Sequence, residues 1–276
     1  MRAVVRRCRP VRFLSLAAFV SLAVGLAGCA TPPPADDPDA VADFRQTNDP
    51  LEPTNRVFYK VNDTLDTYAL KPVAKAYRFV LPERVRTGIH NVLDNLGGPV
   101  RLTNDTLEGK PRRAGDTAMR FLINSTAGVG GIFDVAKSAG FPNHDTDFAL
   151  TLANWNVPEG PFLFLPVLGP SSPRDLTGFV ADTAIDPFTW IARGQRVFTI
   201  TSWTKTIVGA LDERAGLLDV VDNIKKTALD PYATFRSLYR QNRAGKLETL
   251  RADNRATIPI WWPQAVSAQA ASGGGK

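Results

Sequence analysis

Apolar positions between residues 49 and 250 recur mostly at helical spacing. Val85, Ile89, Val92, Leu93 and Leu96 fall at i, i+4, i+7, i+8 and i+11, one stripe of a helix. Pro82 stands at its start, and Gly97-Gly98-Pro99 stop it. Leu217, Val220, Val221 and Ile224 make a second stripe. Asp230-Pro231 opens a third helix, with Tyr232, Phe235, Leu238 and Tyr239 on one face. Ala114, Ala118, Phe121 and Leu122 give a fourth, and residues 173–185 and 197–211 are predicted helices too. Strand signals are weak. Only 161–168, Pro-Phe-Leu-Phe-Leu-Pro-Val-Leu, reads as extended, and its prolines confine it to an edge or a loop.

All but one of the 21 prolines follow Pro10. That is roughly 8% of the chain beyond residue 28, against a usual figure of about 5%. Proline removes a backbone donor and crowds the preceding turn, so the helices are expected to be short and to change direction often. Such a chain can wrap around something. It carries no internal repeat, which excludes a solenoid. The expected fold class is mainly α, a single domain of proline-broken amphipathic helices over residues 48–251.

The N-terminus sets the compartment. Arg2, Arg6, Arg7, Arg9 and Arg12 precede the apolar run Phe13–Ala27, which is too short to cross a ~30 Å hydrocarbon core and reads as a signal peptide over 1–28. Leu26-Ala27-Gly28-Cys29 resembles a lipobox, in which cleavage before the cysteine leaves Cys29 to carry lipid. Several acyl chains at about 0.8 kcal/mol per buried methylene hold a protein firmly on a bilayer. Ala30 stands where aspartate would signal inner-membrane retention, and so leans towards the outer membrane. Residues 29–47 form a polar, proline-rich tether. Residues 252–276 read as a loose tail containing Trp261-Trp262.

Charge changes its meaning once the signal is set aside. The formal net charge is +6, but without the five signal arginines 28 bases face 27 acids. A field that small cannot drive polyphosphate binding, so nucleic acid is excluded as a partner. Cys8 and Cys29 are the only cysteines, which excludes a disulfide framework. His90 and His144 have no metal-ligand spacing, so no metal site is expected. His90 reads as structural. His144-Asp145-Thr146-Asp147 reads as a polar loop before a helix, with a triad or cation site as the lesser alternative.

Gly169-Pro170-Ser171-Ser172-Pro173 begins like a nucleophile elbow, but Pro173 stands where that turn needs glycine. The better reading is a turn with Ser172 as helix cap, Pro173 at the first helical position and Asp175 facing the dipole. Gly128-Val129-Gly130-Gly131 follows a helix, and Phe133 occupies the third fingerprint position, so it is no phosphate cradle. Gly128, Gly130 and Gly131 instead mean a tight turn or a close backbone approach. No catalytic set is recognisable.

The body resembles the VacJ/MlaA family of outer-membrane lipoproteins from about Asn48 to Lys246. The resemblance opens with Asn48-Asp49-Pro50-Leu51-Glu52-Pro53 and Asn55-Arg56. It continues through Lys71-Pro72-Val73-Ala74, Asn104-Asp105, Gly109-Lys110-Pro111 and Arg120–Thr126. The glycine turn, Asp134-Val135-Ala136, Gly160-Pro161-Phe162, Gly169–Ser172, Arg174-Asp175 and Asp230-Pro231-Tyr232 complete it.

The resemblance implies a helical ring in the inner leaflet around an amphipathic channel. It implies removal of phospholipids mislocalised to the outer leaflet and their transfer to a soluble periplasmic carrier. It also implies association with porin trimers, and neither catalysis nor a cofactor beyond the lipid on Cys29. Arg174, Asp175 and Asp182 align with charged family positions near the channel and are the candidate head-group contacts, with capping and surface charge as their alternative. A polar path fits the chemistry, because moving a charged head through hydrocarbon is the costly part of lipid movement.

Some positions depart from the family. Ala149, Ala153 and Asn156 stand where glycines are usual, and Thr54 where an aromatic residue is common. Two other functions remain at this level: a porin-associated scaffold, and a lipid-anchored hydrolase using Ser171 or Ser172.

Overall fold

Proline opens most of the helices instead of breaking them. The computed structural model describes residues 47–189 and 196–253, together with Pro34, Asp37, Pro38, Val41 and Phe44. The signal segment, Cys29, most of the tether and the tail beyond Asp253 with Trp261-Trp262 lie outside the described residues.

Helix α1 spans Glu52–Leu65 and α2 Lys71–Val80, joined by a π-helical turn at Asp66–Leu70. Pro72 has no N–H to give the turn before it, and the wider π register, with the Lys71 N–H on the Asp66 carbonyl, absorbs that loss. Then come α3 (Glu83–Leu96), α4 (Gly98–Leu107), α5 (Pro111–Thr126), the short α6 (Val135–Ser138) and α7 (Phe148–Asn154). Strands β1 (Leu163–Leu165) and β2 (Gly169–Ser171) pair antiparallel, Phe164 opposite Pro170. Next are α8 (Pro173–Ile185), a 3-10 turn at Pro187–Thr189, α9 (Arg196–Gly216), α10 (Leu218–Thr227) and α11 (Pro231–Ala252).

Proline occupies the first or second position of α1, α4, α5, α8 and α11, where its missing donor costs nothing, and of α2, where the π turn absorbs the loss. The expectation of uniformly short helices is therefore corrected: α9 has 21 residues and α11 has 22. Gly97-Gly98-Pro99 ends α3 as expected, but also starts α4 at once. Residues 169–171 are a strand and not part of a turn, while Ser172 caps α8 as read, its Oγ accepting from the Asp175 N–H at 3.1 Å.

The helices close a circuit. Helix α3 packs on α4, α4 on α7 and α8, and α7 on α11; then α11 packs on α10, α10 on α9, and α9 returns to α3. Small apolar clusters pin it. Ala74 sits against Ala215 and Leu218; Tyr59 meets Phe164 and Tyr232 edge to face, and Phe162 meets the same two rings edge to face.

The stripes read from the sequence lie partly on the surface, although Tyr232 of the third stripe is buried at 1% exposure. On α5 the buried residues are Arg113, Asp116, Thr117, Arg120 and Asn124, while Leu122 is 55% exposed. Val85, Leu217, Val220 and Leu238 are exposed too, as are Phe79 at 92% and Tyr68. Periodicity marks a face as apolar without saying which phase it meets. No helix among the described residues is long and apolar enough to cross a membrane.

Candidate functional site

The interior is a set of polar clasps, each built from segments far apart in sequence. The first joins α1 to α11. Asp49, at 2% exposure, accepts from Asn55 at 2.7 Å, from Arg236 at 2.8 Å and from the Tyr232 hydroxyl. Burial, and then the Asp49 contact, raises the Tyr232 hydroxyl above its ordinary pKa. Arg56 pairs with Asp230 at 2.6 Å and stacks 4.5 Å over the Tyr232 ring. Asn55 also reaches β1, giving to the Phe162 carbonyl and accepting from the Phe164 N–H. The Asn48 side chain bonds the Gly160 carbonyl, and the Asn48 carbonyl accepts from Phe162.

The second clasp ties α11 to α7 and α8. Asp147 caps α7, accepting from the Leu150 N–H at 2.8 Å, and takes a two-pronged hydrogen bond from Arg243 at 2.6 and 3.1 Å. Arg243 also reaches Asp175 at 2.7 Å, and the Tyr239 hydroxyl donates to the same carboxylate. Burial works against the Arg243 charge, but the Asp147 and Asp175 contacts outweigh it and raise its pKa.

The third clasp lies between α4, α5 and α7. Asp105 is fully buried and accepts from Thr117 at 2.6 Å, with His144 Nε2 at 2.8 Å. Asn104 donates to Asp182 at 2.8 Å. Glu108 accepts from Thr146 and Thr151, and burial pushes its carboxyl above the usual range. A fourth clasp holds the glycine turn: Arg120 and Asn124 both bond Asp134. A Cβ on Gly128 would lie 2.3 Å from the Phe133 carbonyl oxygen, and Gly131 has φ +97, so the close approach read there is real.

A cavity of about 680 Å³ opens beside the second clasp, with Arg174, Arg236, Arg240 and Arg243 in its walls and Glu159 as the acidic member. Of the three predicted head-group contacts, Arg174 lines it. Asp175 lies behind Arg243. Asp182 does not line the cavity; its oxygens are taken by Asn104 and the Phe148 N–H, and burial, first of all, raises its carboxyl. Arg236, Arg240 and Arg243 were missed from the sequence, although their i, i+4, i+7 spacing on one helix is a legible basic stripe.

Ser172 is wholly buried in its capping role, and Ser171 gives its hydroxyl to the Ser172 carbonyl. Neither is bonded to a histidine among the described residues; His90 pairs with Asp212 and His144 with Asp105. The described residues also hold no cluster of three or more His, Cys, Asp or Glu fit for a metal ion. At the departures from the family, Ala149 and Ala153 are buried and Asn156 adopts φ 64.

Fold and clasps define a class: a mainly helical protein that buries many charged and amide side chains and exposes many large apolar ones. Residues 47–246 match the MlaA lipoprotein family, and the chain belongs to that family. It is 36% identical over 224 residues to the Intermembrane phospholipid transport system lipoprotein MlaA of Haemophilus influenzae, covering 80% of this chain and 85% of that one. The protein of the same name from Escherichia coli K12 is 32% identical over 235 residues, covering 84% and 86%. A solved structure described as "Structural basis for maintenance of bacterial outer membrane lipid asymmetry" is 33% identical with a TM-score of 0.64, covering 72% of this chain and 98% of that one.

Proposed function

We propose that this protein is an outer-membrane lipoprotein that maintains lipid asymmetry. It takes phospholipid mislocalised to the outer leaflet and passes it to a soluble periplasmic carrier. The observation that carries this reading is the inversion of polarity: ion pairs and amides fill the interior while Phe79, Tyr68, Leu122 and Val220 lie outside. That arrangement suits a body bedded in the hydrocarbon of one leaflet, because lipid-facing charge is costly and inward charge is tolerated. Membership in the MlaA lipoprotein family supports it.

In this reading residues 1–28 are removed, Cys29 carries the lipid anchor, 29–47 tether the 48–251 body and 252–276 form a tail. The helical circuit surrounds an amphipathic channel, and porin trimers are its neighbours in the membrane. Transport is passive, without catalysis, metal or further cofactor. Arg174, Asp175 and Asp182 are the candidate head-group contacts; Arg174 lines the cavity, and Asp175 holds Arg243 in its wall.

The test is outer-leaflet phospholipid in cells lacking the protein, complemented with wild type or Cys29→Ala. The expected result is accumulation that wild type reverses and Cys29→Ala does not. No accumulation on deletion overturns the transport role.

A further inference from the structure

Each arginine in the cavity wall has a carboxylate within 4.0 Å, but the four are not held equally. Arg236 and Arg243 are held from the rear by Asp49 and Asp147, which fixes the planes of their guanidinium groups. Arg240 donates from Nη1 to the Thr47 carbonyl, and Glu159 approaches its Nη2 at 4.0 Å. Arg174 is the least compensated. Its side chain is 9% exposed, Nη1 donates to the Val157 carbonyl at 3.2 Å, and the nearest carboxylate oxygen, on Asp175, is 4.0 Å from Nε.

A desolvated cation without a hydrogen-bonded counter-ion is unfavourable. Arg174 also stands in the first turn of α8, where the helix field is positive and disfavours a cation. An anion in the cavity relieves both. Ala233, Ser237 and Ala244 on the same face of α11 leave it room. Several planar donors around one space match the oxygens of a phosphate group.

We propose that this cavity binds a phosphate group, supplied by a phospholipid head group, with Arg174 and Arg240 as its contacts and Arg236 and Arg243 as the fixed walls. The anion site stands on its own geometry; the lipid source rests on the transport reading. Inorganic phosphate has the same chemistry, so the test must separate the two.

Titration calorimetry on the full chain would compare three probes: water-soluble dihexanoyl phosphatidylglycerol, dihexanoylglycerol without phosphate, and inorganic phosphate. The expected result is that the phospholipid binds, the phosphate-free lipid does not, and Arg174→Gln/Arg240→Gln weakens binding at least tenfold while Arg174→Lys keeps part of it. Inorganic phosphate binding as tightly as the phospholipid overturns the lipid assignment. Equal binding of the phosphate-free lipid overturns the site, and this wild-type comparison decides even if the double variant fails to fold. A folded double variant that binds unchanged overturns it too. Loss of the anion site with asymmetry still restored by wild type would leave transport standing. Failure of wild type to restore asymmetry strikes the transport reading instead.

Discussion

The Tyr232 hydroxyl donates to the Asp49 carboxylate across 183 positions of sequence. Asn55 and Arg236 donate to the same carboxylate, so one buried acid holds the first described helix against the last. Tyr232→Phe removes one donor of three and is expected to cost about 1–2 kcal/mol. Asp49→Ala leaves the Arg236 guanidinium with Glu52 alone, at 3.4 Å, and is expected to cost about 3–5 kcal/mol. Equilibrium denaturation in detergent checks the order, and equal losses would contradict the role of Asp49 as the hub.

Helix α8 meets α7 at Gly178. A Cβ there would lie 2.6 Å from both the Cβ and the backbone nitrogen of Ala149. Gly178→Ala is expected to destabilise by about 1–3 kcal/mol through overpacking. Adding Ala149→Gly should recover little, because the backbone nitrogen remains. Full recovery of the melting temperature in the double variant would show that the side chain alone makes the contact tight.

Asn156 occupies the left-handed region at φ 64, where its side chain accepts from Arg251 at 2.9 Å. Asparagine tolerates that conformation and glycine adopts it freely. Asn156→Gly should change stability by less than about 1 kcal/mol, and Asn156→Val should cost about 1–2 kcal/mol. Thermal melts of the pair test this; equal effects would count against it.

Burial pushes the Asp147 carboxyl up, but the Arg243 hydrogen bonds outweigh it and hold it below the ordinary 3.8. Stability from a depressed carboxyl is complete above its unfolded pKa and is lost as pH falls through the folded value. Asp147→Asn should therefore cost about 1–3 kcal/mol near neutrality. The gap to wild type should narrow below pH 3.8. Urea titrations across that range measure it, and a gap that widens towards acid would refute the assignment.

Much of this architecture was legible where it is written in backbone chemistry. Proline, glycine and capping residues placed α3, α8 and the start of α11, because each constrains φ or a terminal N–H directly. The ordered motifs of the resemblance were legible as well, but their physical role was not. Asn48, Asp49, Asn55, Gly160, Phe162, Asp230 and Tyr232 converge in space to hold the fold together. Facing was not legible, since the spacing of Val85 or Leu122 is the same against a core and against lipid. On α5 the polar run Arg113, Asp116, Thr117, Arg120 and Asn124 keeps helical spacing and was the readable sign of an inverted interior. Arg174, Asp175 and Asp182 were legible as charged positions one at a time, but their places in the fold were not.

The clasps also set an order of assembly. Tyr232, Arg236 and Arg243 lie on α11, the last described helix to leave the ribosome. Until it exists, Asp49 lacks two of its three donors and Asp147 and Asp175 lack Arg243. A nascent chain therefore carries unneutralised acids and uncovered apolar helices for most of its synthesis. Contacts this far apart in sequence slow the search for the native state. Closure of the helical circuit therefore waits on α11, the last described helix.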